Sequence, residues 1–467
     1  MRPIHALAVL LALAALAIAP RSHADEHLYD PSFGLGVGVE GRQVISFDAG
    51  GTNADVAKRI LRGADGKLIL VGEVATATGK RLGLTRLNPN GTIDTSFGTN
   101  GRIVHDACFD EVNDAVLDAQ ERIIVVGQTV ACAVFSAVAG RVARYLPNGQ
   151  LDADNFGNSG YTRVLFPVGT NATRIIRLFS VVVLTEGSYV VGGSIQTDPA
   201  NADSESAWLG LVTSQGGASN TMEVDPGSPF PRRVVAGVAL PNTGSAWLVD
   251  VSGGGGSLGL GGLWKLSSTF AVDSSFGGSG WQAFIGLTGS PSCDFPGTNY
   301  ETTSMVIHGN TVKAFGWVFA GGIYRGWWAS MRLADGSERG FGCHPGMSGM
   351  QLNAASADPG TVPGRVVVAG ACGSLAPSFC LHALRPVAGN PDQLESDPAF
   401  NGGARLTLSF PSAFGVETSG VASDVLRIGG GKTLVAGWRL WNGFDTDYAI
   451  ARLGAGTLLA DGFEASP

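Results

Sequence analysis

The chain has 467 residues and a formal net charge of -8; charged residues are only 15% of it and Gly supplies 69 positions. An acidic balance without clusters of Lys and Arg excludes nucleic acid as a partner, because that binding draws on concentrated positive charge. Gly at about twice its usual share of roughly 7%, with no collagen period and beside abundant Val, Leu and Ile, predicts many short strands joined by tight turns.

In chain order, Arg2 precedes an apolar run from Ala6 to Ala19, then Pro20, then Ser22 and Ala24 in signal-peptidase spacing. The pattern predicts a signal peptide over 1–24, cleaved after Ala24, because the run is shorter than the roughly 20 residues of a membrane span. No later stretch is long and apolar enough to cross a bilayer, so a soluble, extracellular or periplasmic chain is expected.

The first unit reads "GRQVISF" (Gly41 to Phe47), "DVAKRILRGADGKLILVGE" (Asp55 to Glu73) and "LGLTRLNPNG" (Leu82 to Gly91). Short β-branched runs bounded by Gly, Asn and Asp are strand chemistry, and Asp65-Gly66 suits a hairpin turn. A Phe-Gly phrase preceded by an acid recurs at Phe33, Phe97, Phe156, Phe276, Phe341 and Phe400, at separations of 64, 59, 120, 65 and 59. The long gap is twice the period, and "VTSQGGASN" (Val212 to Asn220) stands in the missing copy. A strand ending at Gly72, Gly127, Gly193, Asp250, Gly316, Gly370 and Gly437 recurs seven times, as does the strand after it, from "LTRL" to "IARL".

These observations predict an all-β fold: a seven-bladed β-propeller over 25–455, built from repeats of about 60 residues with four antiparallel strands per blade, followed by a tail over 456–467. An open β-solenoid is the alternative. The phrase itself is placed between the fourth strand of one unit and the first of the next. There the Phe wedges between blades, the glycines take positive φ and the Asp accepts backbone hydrogen bonds. A calcium loop through Asp30, Asp94, Asp273 and Asp397 is disfavoured, since one carboxylate per blade is thin for an ion that takes six to eight oxygens.

At Leu87 to Ile103, with Ala64 to Gly72, the sequence resembles the delta-60 repeat family, whose units carry Leu-Asp-x-x-Phe-Gly, an Asp-Gly-Lys hairpin and an Ala-Arg-Leu strand. The resemblance covers essentially the whole mature chain and is worn in the later units, where Asp154-Asn155 adds a residue and Glu338 replaces the Asp. It implies a propeller-like repeat on exported bacterial proteins and no catalytic residues to carry over. The ending "LLADGFEASP" (Leu458 to Pro467) resembles short Asp-Gly-Phe-Glu termini of some secreted bacterial proteins.

Gly-x-Ser-x-Gly, His-Glu-x-x-His and Walker patterns are absent from the sequence. "GVGVEG" (Gly36 to Gly41) lacks the strand-then-helix context of a dinucleotide fingerprint. "GGGGSLGLGG" (Gly253 to Gly262) reads as a flexible loop. His27, His105, His308, His344 and His382 lack ligand spacing, and no metal or cofactor is expected. In an exported chain the cysteines are disulfide candidates, pairing Cys108 with Cys132 and Cys372 with Cys380. Cys293 and Cys343 fall at opposite ends of the ring by strand counting, which makes a third pair doubtful.

Trp317, Trp438 and Trp441, with Phe319, follow third strands and are expected in loops on one face. Exposed aromatics there could stack on a sugar or grip a protein. The expected role is a monomeric binding or scaffold module for an unidentified protein or glycan, with no evident catalytic site. The alternatives are a propeller enzyme of glycosidase or lyase type with carboxylates at the channel mouth, and a cell-surface adhesion protein.

Overall fold

In the computed structural model the described residues run from 28 to 454, except 35–39, 52–53, 106–108, 130–137, 165–174, 185, 199, 202–203, 225–231, 241–243, 252–260, 285–299, 358–363, 374–375, 411–416 and 442–444. They form seven antiparallel sheets and two single-turn 3-10 segments, with no helix long and apolar enough to cross a membrane. The sheets are the blades of a β-propeller. Blade 1 comprises Val56–Arg62, Leu68–Thr76, Gly79–Leu87 and Arg102–Val104, ordered from inner to outer strand. Blade 6 adds a fifth strand, because both Asn390–Ser396 and Leu406–Leu408 pair with its third strand, Ser378–Val387.

The strand Arg42–Ile45 belongs to no blade 1 sheet. It pairs with Asp445–Leu453, matching Arg42 with Ala451 and Ile45 with Tyr448, and so supplies the outer strand of blade 7. The repeat read from the sequence is therefore offset from the blade by one strand, and the ring closes by joining a strand from each end of the chain. A closed ring leaves each sheet only a short outer edge, which limits edge-to-edge pairing with other chains.

Burial follows the ring. The hydrophobic residues sort into seven clusters, and each cluster joins two neighbouring blades. Leu82 and Leu84 of blade 1, for example, pack with Val112 and Ile123 of blade 2. Phe33 and Ile45, from the N-terminal segment, sit with Leu434 and Tyr448 of blade 7 and Leu68 of blade 1. A single buried side chain of this kind contributes roughly 1.5 to 3 kcal/mol. Every junction thus outweighs any one polar contact across it.

The recurring phrase is a latch across four of these junctions, those between blades 7 and 1, 1 and 2, 2 and 3, and 4 and 5. It lies between the third and outer strands of one blade, not between consecutive blades as the sequence suggested, because the unit and the blade are out of step. Phe97 is fully buried in the cluster between blades 1 and 2. Asp94 accepts from Ser96 N and Oγ at 3.1 and 2.6 Å through one oxygen and pairs with Arg86 at 2.7 Å and Lys67 at 2.9 Å through the other. The Arg86 guanidinium lies 4.7 Å from the Phe97 ring centre, and Gly98 N donates to Asn148 O in the next blade.

The same set recurs as Asp30, Arg452 and Phe33; as Asp152, Arg144 and Phe156; and as Asp273, Lys265 and Phe276. In each, the glycine after the Phe donates to a turn carbonyl of the following blade: Gly34 to Asn90, Gly157 to Gln215 and Gly277 to Asp335. Asp30, Asp94 and Asp273 are thus committed to cations, and Asp397 pairs with Arg365. That removes the carboxylates a calcium loop needs.

Phe341 is not a copy of the phrase. It lies in the outer strand Glu338–Ser348 of blade 5, whose third and outer strands are joined by the short turn at Asp335-Gly336, and its spacing is coincidental. Blade 3 makes a similar short turn at Thr213 to Gly217.

Burial pushes the Asp94 carboxyl up, but the Ser96 hydrogen bonds and the Lys67 and Arg86 charges reverse this and hold it well below the usual range. Its stabilisation is therefore complete above the unfolded value of about 3.9 and is lost as pH falls through the lower folded value. Asp94→Asn is expected to cost about 1 to 2 kcal/mol at pH 7. Urea melts should show the deficit shrinking below pH 4.

Cys372 and Cys380 are bonded, stapling the second and third strands of blade 6 as the sequence predicted. Cys343 is also disulfide-bonded, although strand counting made its pairing doubtful. The remaining cysteines, Cys108, Cys132 and Cys293, lie outside the described residues, and with them the expected Cys108 to Cys132 pair.

Candidate functional site

The two ends of the ring differ in kind. One carries the latches and tight turns such as Gly63 to Lys67. At the other, second strands such as Leu68–Thr76 end and inner strands such as Val56–Arg62 begin. Recognition concentrates on variable loops held by a rigid frame, so the second end is the candidate binding face.

The channel wall follows from one irregularity repeated in every blade. The register between inner and second strands slips by one residue at Lys58, Asn113, Phe179, Val235, Thr303, Asn353 and Ser423. A bulge leaves its extra residue out of the ladder and re-aims its side chain. All seven of these residues line one cavity of about 530 Å³ on the axis.

The recurring glycine of the second strand makes room for this. A Cβ on Gly72, Gly127, Gly193, Gly316, Gly370 or Gly437 would overlap the carbonyl oxygen of the inner-strand residue two before the bulge. Only blade 4 departs, with Val249 paired to Val234 at that level.

Polar side chains tie adjacent inner strands around the channel. Asn113 Nδ2 donates to Leu178 O at 2.8 Å, and Asn353 Nδ2 repeats the contact with Ala422 O at 2.9 Å. Asp114 accepts from Ser180 Oγ and Val181 N at 3.0 Å, and Asp424 accepts from Ile60 N at 2.8 Å. Arg59 bridges these two acids, at 2.8 Å from Asp114 and 3.3 Å from Asp424, across blades 7, 1 and 2. Burial opposes the Arg59 charge, but the two acids overcome it and raise its pKa; Asp424 is raised by its own burial, with Arg59 opposing.

Nearer the mouth, Glu73 and Asp250 occupy equivalent second-strand positions and cap the next inner strand, accepting from Val112 N at 3.3 Å and Thr302 N at 3.2 Å. Glu73 also meets Lys80 at 2.9 Å and Lys58 at 3.6 Å. Asp250 shares Arg233 Nη2 with Glu301, at 3.1 and 2.6 Å. Burial raises the Asp250 carboxyl, against the pull of Arg233.

The aromatics expected in loops lie in strands. Trp317 and Phe319 belong to Thr311–Ala320, and Trp438 and Trp441 to Thr433–Trp441, all at the candidate binding end. Phe319 is 47% exposed and contacts Tyr324, which also meets Trp317, while Ile323 beside them is 44% exposed. Trp438 lines the channel. Trp441 is buried, donates to Asp447 at 2.8 Å and lies under Arg439, so it packs the blade edge.

The structure does not join the four into one surface. The bulge residues were missed by sequence reasoning, and in six of the seven blades the second-strand glycine was their signal. It also brings His344 and His382, from adjacent blades, to a ring separation of 5.5 Å. Among the described residues no three His, Cys, Asp or Glu side chains form a metal-binding group.

The fold and site define a β-propeller with an open polar channel. A family model described as a β-propeller domain of unknown function (DUF5122) matches residues 63–97 and 122–154, the segments that run from the inner hairpin into the latch. Against curated proteins the sequence finds no match. Among solved structures, the chain is similar to a protein of unknown function from Dyadobacter fermentans, at 11% identity over 89% of this chain and 99% of that one with a TM-score of 0.44. It is similar to the polysaccharide lyase Uly1 at 9% identity over 93% and 96%, with a TM-score of 0.47. Drosophila Semaphorin 1a extracellular domains 1-2 match at 10% identity over 86% of each chain, with a TM-score of 0.44. No chemistry passes across likenesses of this order.

Proposed function

We propose that this protein is an exported, monomeric binding module that takes a glycan or protein ligand on the loop-bearing end of its ring. The observation that carries this reading is the division of labour between the ends. The repeated latches hold one end, while the Trp317, Phe319, Ile323 and Tyr324 patch and the Asp250 and Glu301 pair occupy the other. Secretion follows from the leader pattern at 1–24 and agrees with the Cys372 to Cys380 disulfide.

Purified residues 25–467 on glycan and protein arrays should give saturable binding that Trp317→Ala and Phe319→Ala weaken. No ligand on either array, or one lost only on substitution of opposite-end residues such as Lys67, overturns the reading. Fractionation of the source cells should place the chain in periplasm or medium, whereas retention on washed cells would make it an adhesion protein.

One observation favours a second reading, a propeller enzyme. Asp250 and Glu301 converge on a single guanidinium nitrogen at the mouth, and closely spaced carboxylates in unlike environments are the equipment of glycoside hydrolysis. Turnover of a chromogenic glycoside that Glu301→Gln abolishes would establish it.

A further inference from the structure

We propose that the axial channel is itself a binding site for a small neutral polyhydroxylated molecule, of monosaccharide size and chemistry. The inference deepens the binding-module reading and rests on it only for the idea that the loop-bearing end is the ligand's approach.

Its basis is what the seven bulges present. The cavity of about 530 Å³ falls in the usual range for small-ligand sites, roughly 300 to 1,000 Å³. Its wall carries two charges of each sign, Lys58 and Arg59 against Asp114 and Asp424, with Arg59 bridging both acids. No unbalanced charge is left to select an anion or a cation.

What remains is neutral and polar. Asn113 and Asn353 each spend one amide N–H on Leu178 O and Ala422 O, which orients the amide and leaves Oδ1 without a hydrogen bond among the described residues. Ser423, another bulge residue, makes no side-chain hydrogen bond among the described residues and adds a hydroxyl that can donate or accept. Two aromatic side chains, Phe179 on blade 3 and Trp438 on blade 7, line the same space and are partly exposed.

Fixed amide oxygens and a free hydroxyl suit the alternating donors and acceptors of a polyol, and aromatic faces suit the C–H face of a sugar ring. An apolar ligand would leave the amide oxygens desolvated and unpaired, which costs about 1 to 3 kcal/mol each.

The test uses residues 25–467 with D-glucose, D-galactose, D-xylose and N-acetyl-D-glucosamine as neutral probes, and D-glucuronate and D-glucosamine as charged ones. Binding is read by calorimetry and by tryptophan fluorescence. At least one neutral probe is expected to saturate, with the charged probes about fivefold weaker or more, and the fluorescence change should vanish in Trp438→Phe while calorimetric binding persists. Ser423→Phe, which fills the channel without removing a described hydrogen bond, should weaken binding about tenfold or more at unchanged Tm. If Ser423→Phe does not fold, Phe179→Ala serves in its place, with about fivefold loss expected.

No saturation by any neutral probe, equal or tighter binding of a charged one, or full affinity in a folded Ser423→Phe overturns the proposal. An array ligand that binds Ser423→Phe as well as the parent leaves the binding module standing and removes the channel site. A neutral sugar held in the channel with silent arrays does the reverse.

Discussion

Deletion of residues 28–47 is expected to abolish cooperative folding, although the segment makes only one short strand. Arg42–Ile45 is the outer strand of blade 7, Tyr29 bridges Leu453, and Asp30 pairs with Arg452 at 2.8 Å and Lys432 at 2.6 Å. Tyr29 packs in the cluster between blades 6 and 7, and Phe33 and Ile45 in the one between blades 7 and 1. The deletion thus strips side chains from two junctions at once and bares a sheet edge. Three aromatic or branched side chains at roughly 1.5 to 3 kcal/mol each approach the whole stability of a typical domain, about 5 to 15 kcal/mol.

Near-ultraviolet circular dichroism and a thermal scan should show no cooperative transition in the truncated chain. A permutant beginning at Ala54, with Leu28 onward rejoined directly after Leu453 through a copy of the Asn88-Pro89-Asn90-Gly91 turn, should recover it, because blade 7 then has the continuous order of blade 1. Truncated protein that melts like the parent, or a permutant that stays unfolded, would contradict closure by strand exchange.

Much of this ring was legible in the sequence, for physical reasons that also mark the limit. Runs such as Leu68 to Gly72 announce strands because every residue from Leu68 to Val71 is buried between blades, and copying them sevenfold gave the blade count. Which strand belongs to which sheet was not legible: Gly41 to Phe47 looks the same whether it pairs forward with Asp55 to Arg62 or across the ring with Asp445 to Leu453. Loop placement of Trp317 and Trp438 failed because the strands continue past Gly316 and Gly437, and nothing local ends them there. The channel was hidden because its residues share a position, not an identity. Lys58, Asn113, Phe179 and Ser423 have no common chemistry, and only the glycine across the sheet betrays the bulge that aims them inward.

Substitution of Arg59 by Met is expected to cost about 2 to 3 kcal/mol at pH 7. Breaking a fully buried ion pair costs roughly 3 to 5 kcal/mol, and Arg59 is discounted because it is partly open to the channel. The loss arises less from the missing contacts than from what stays behind. Asp424 and Asp114 are buried, each still held by backbone donors, and without the guanidinium their charges face one another unscreened.

That fixes the sign of the pH dependence. Burial already raises the Asp424 carboxyl in the parent, and removing Arg59 raises it further. Between the unfolded value of about 3.9 and this raised folded value, the native state binds a proton that the unfolded chain has released, so stability falls as pH rises. The variant's deficit should therefore be largest at pH 7 to 8 and narrow towards pH 5, opposite in direction to the Asp94 latch, whose contribution is lost in acid. Adding Asp424→Asn to Arg59→Met should restore part of the loss and flatten the pH dependence, since the amide oxygen still accepts from Ile60 N and carries no charge to desolvate. Urea melts at pH 5, 6, 7 and 8 measure all three chains. A deficit that is the same at every pH, or a double variant weaker than Arg59→Met alone, would show that Arg59 holds the first and last blades together by packing and not by charge.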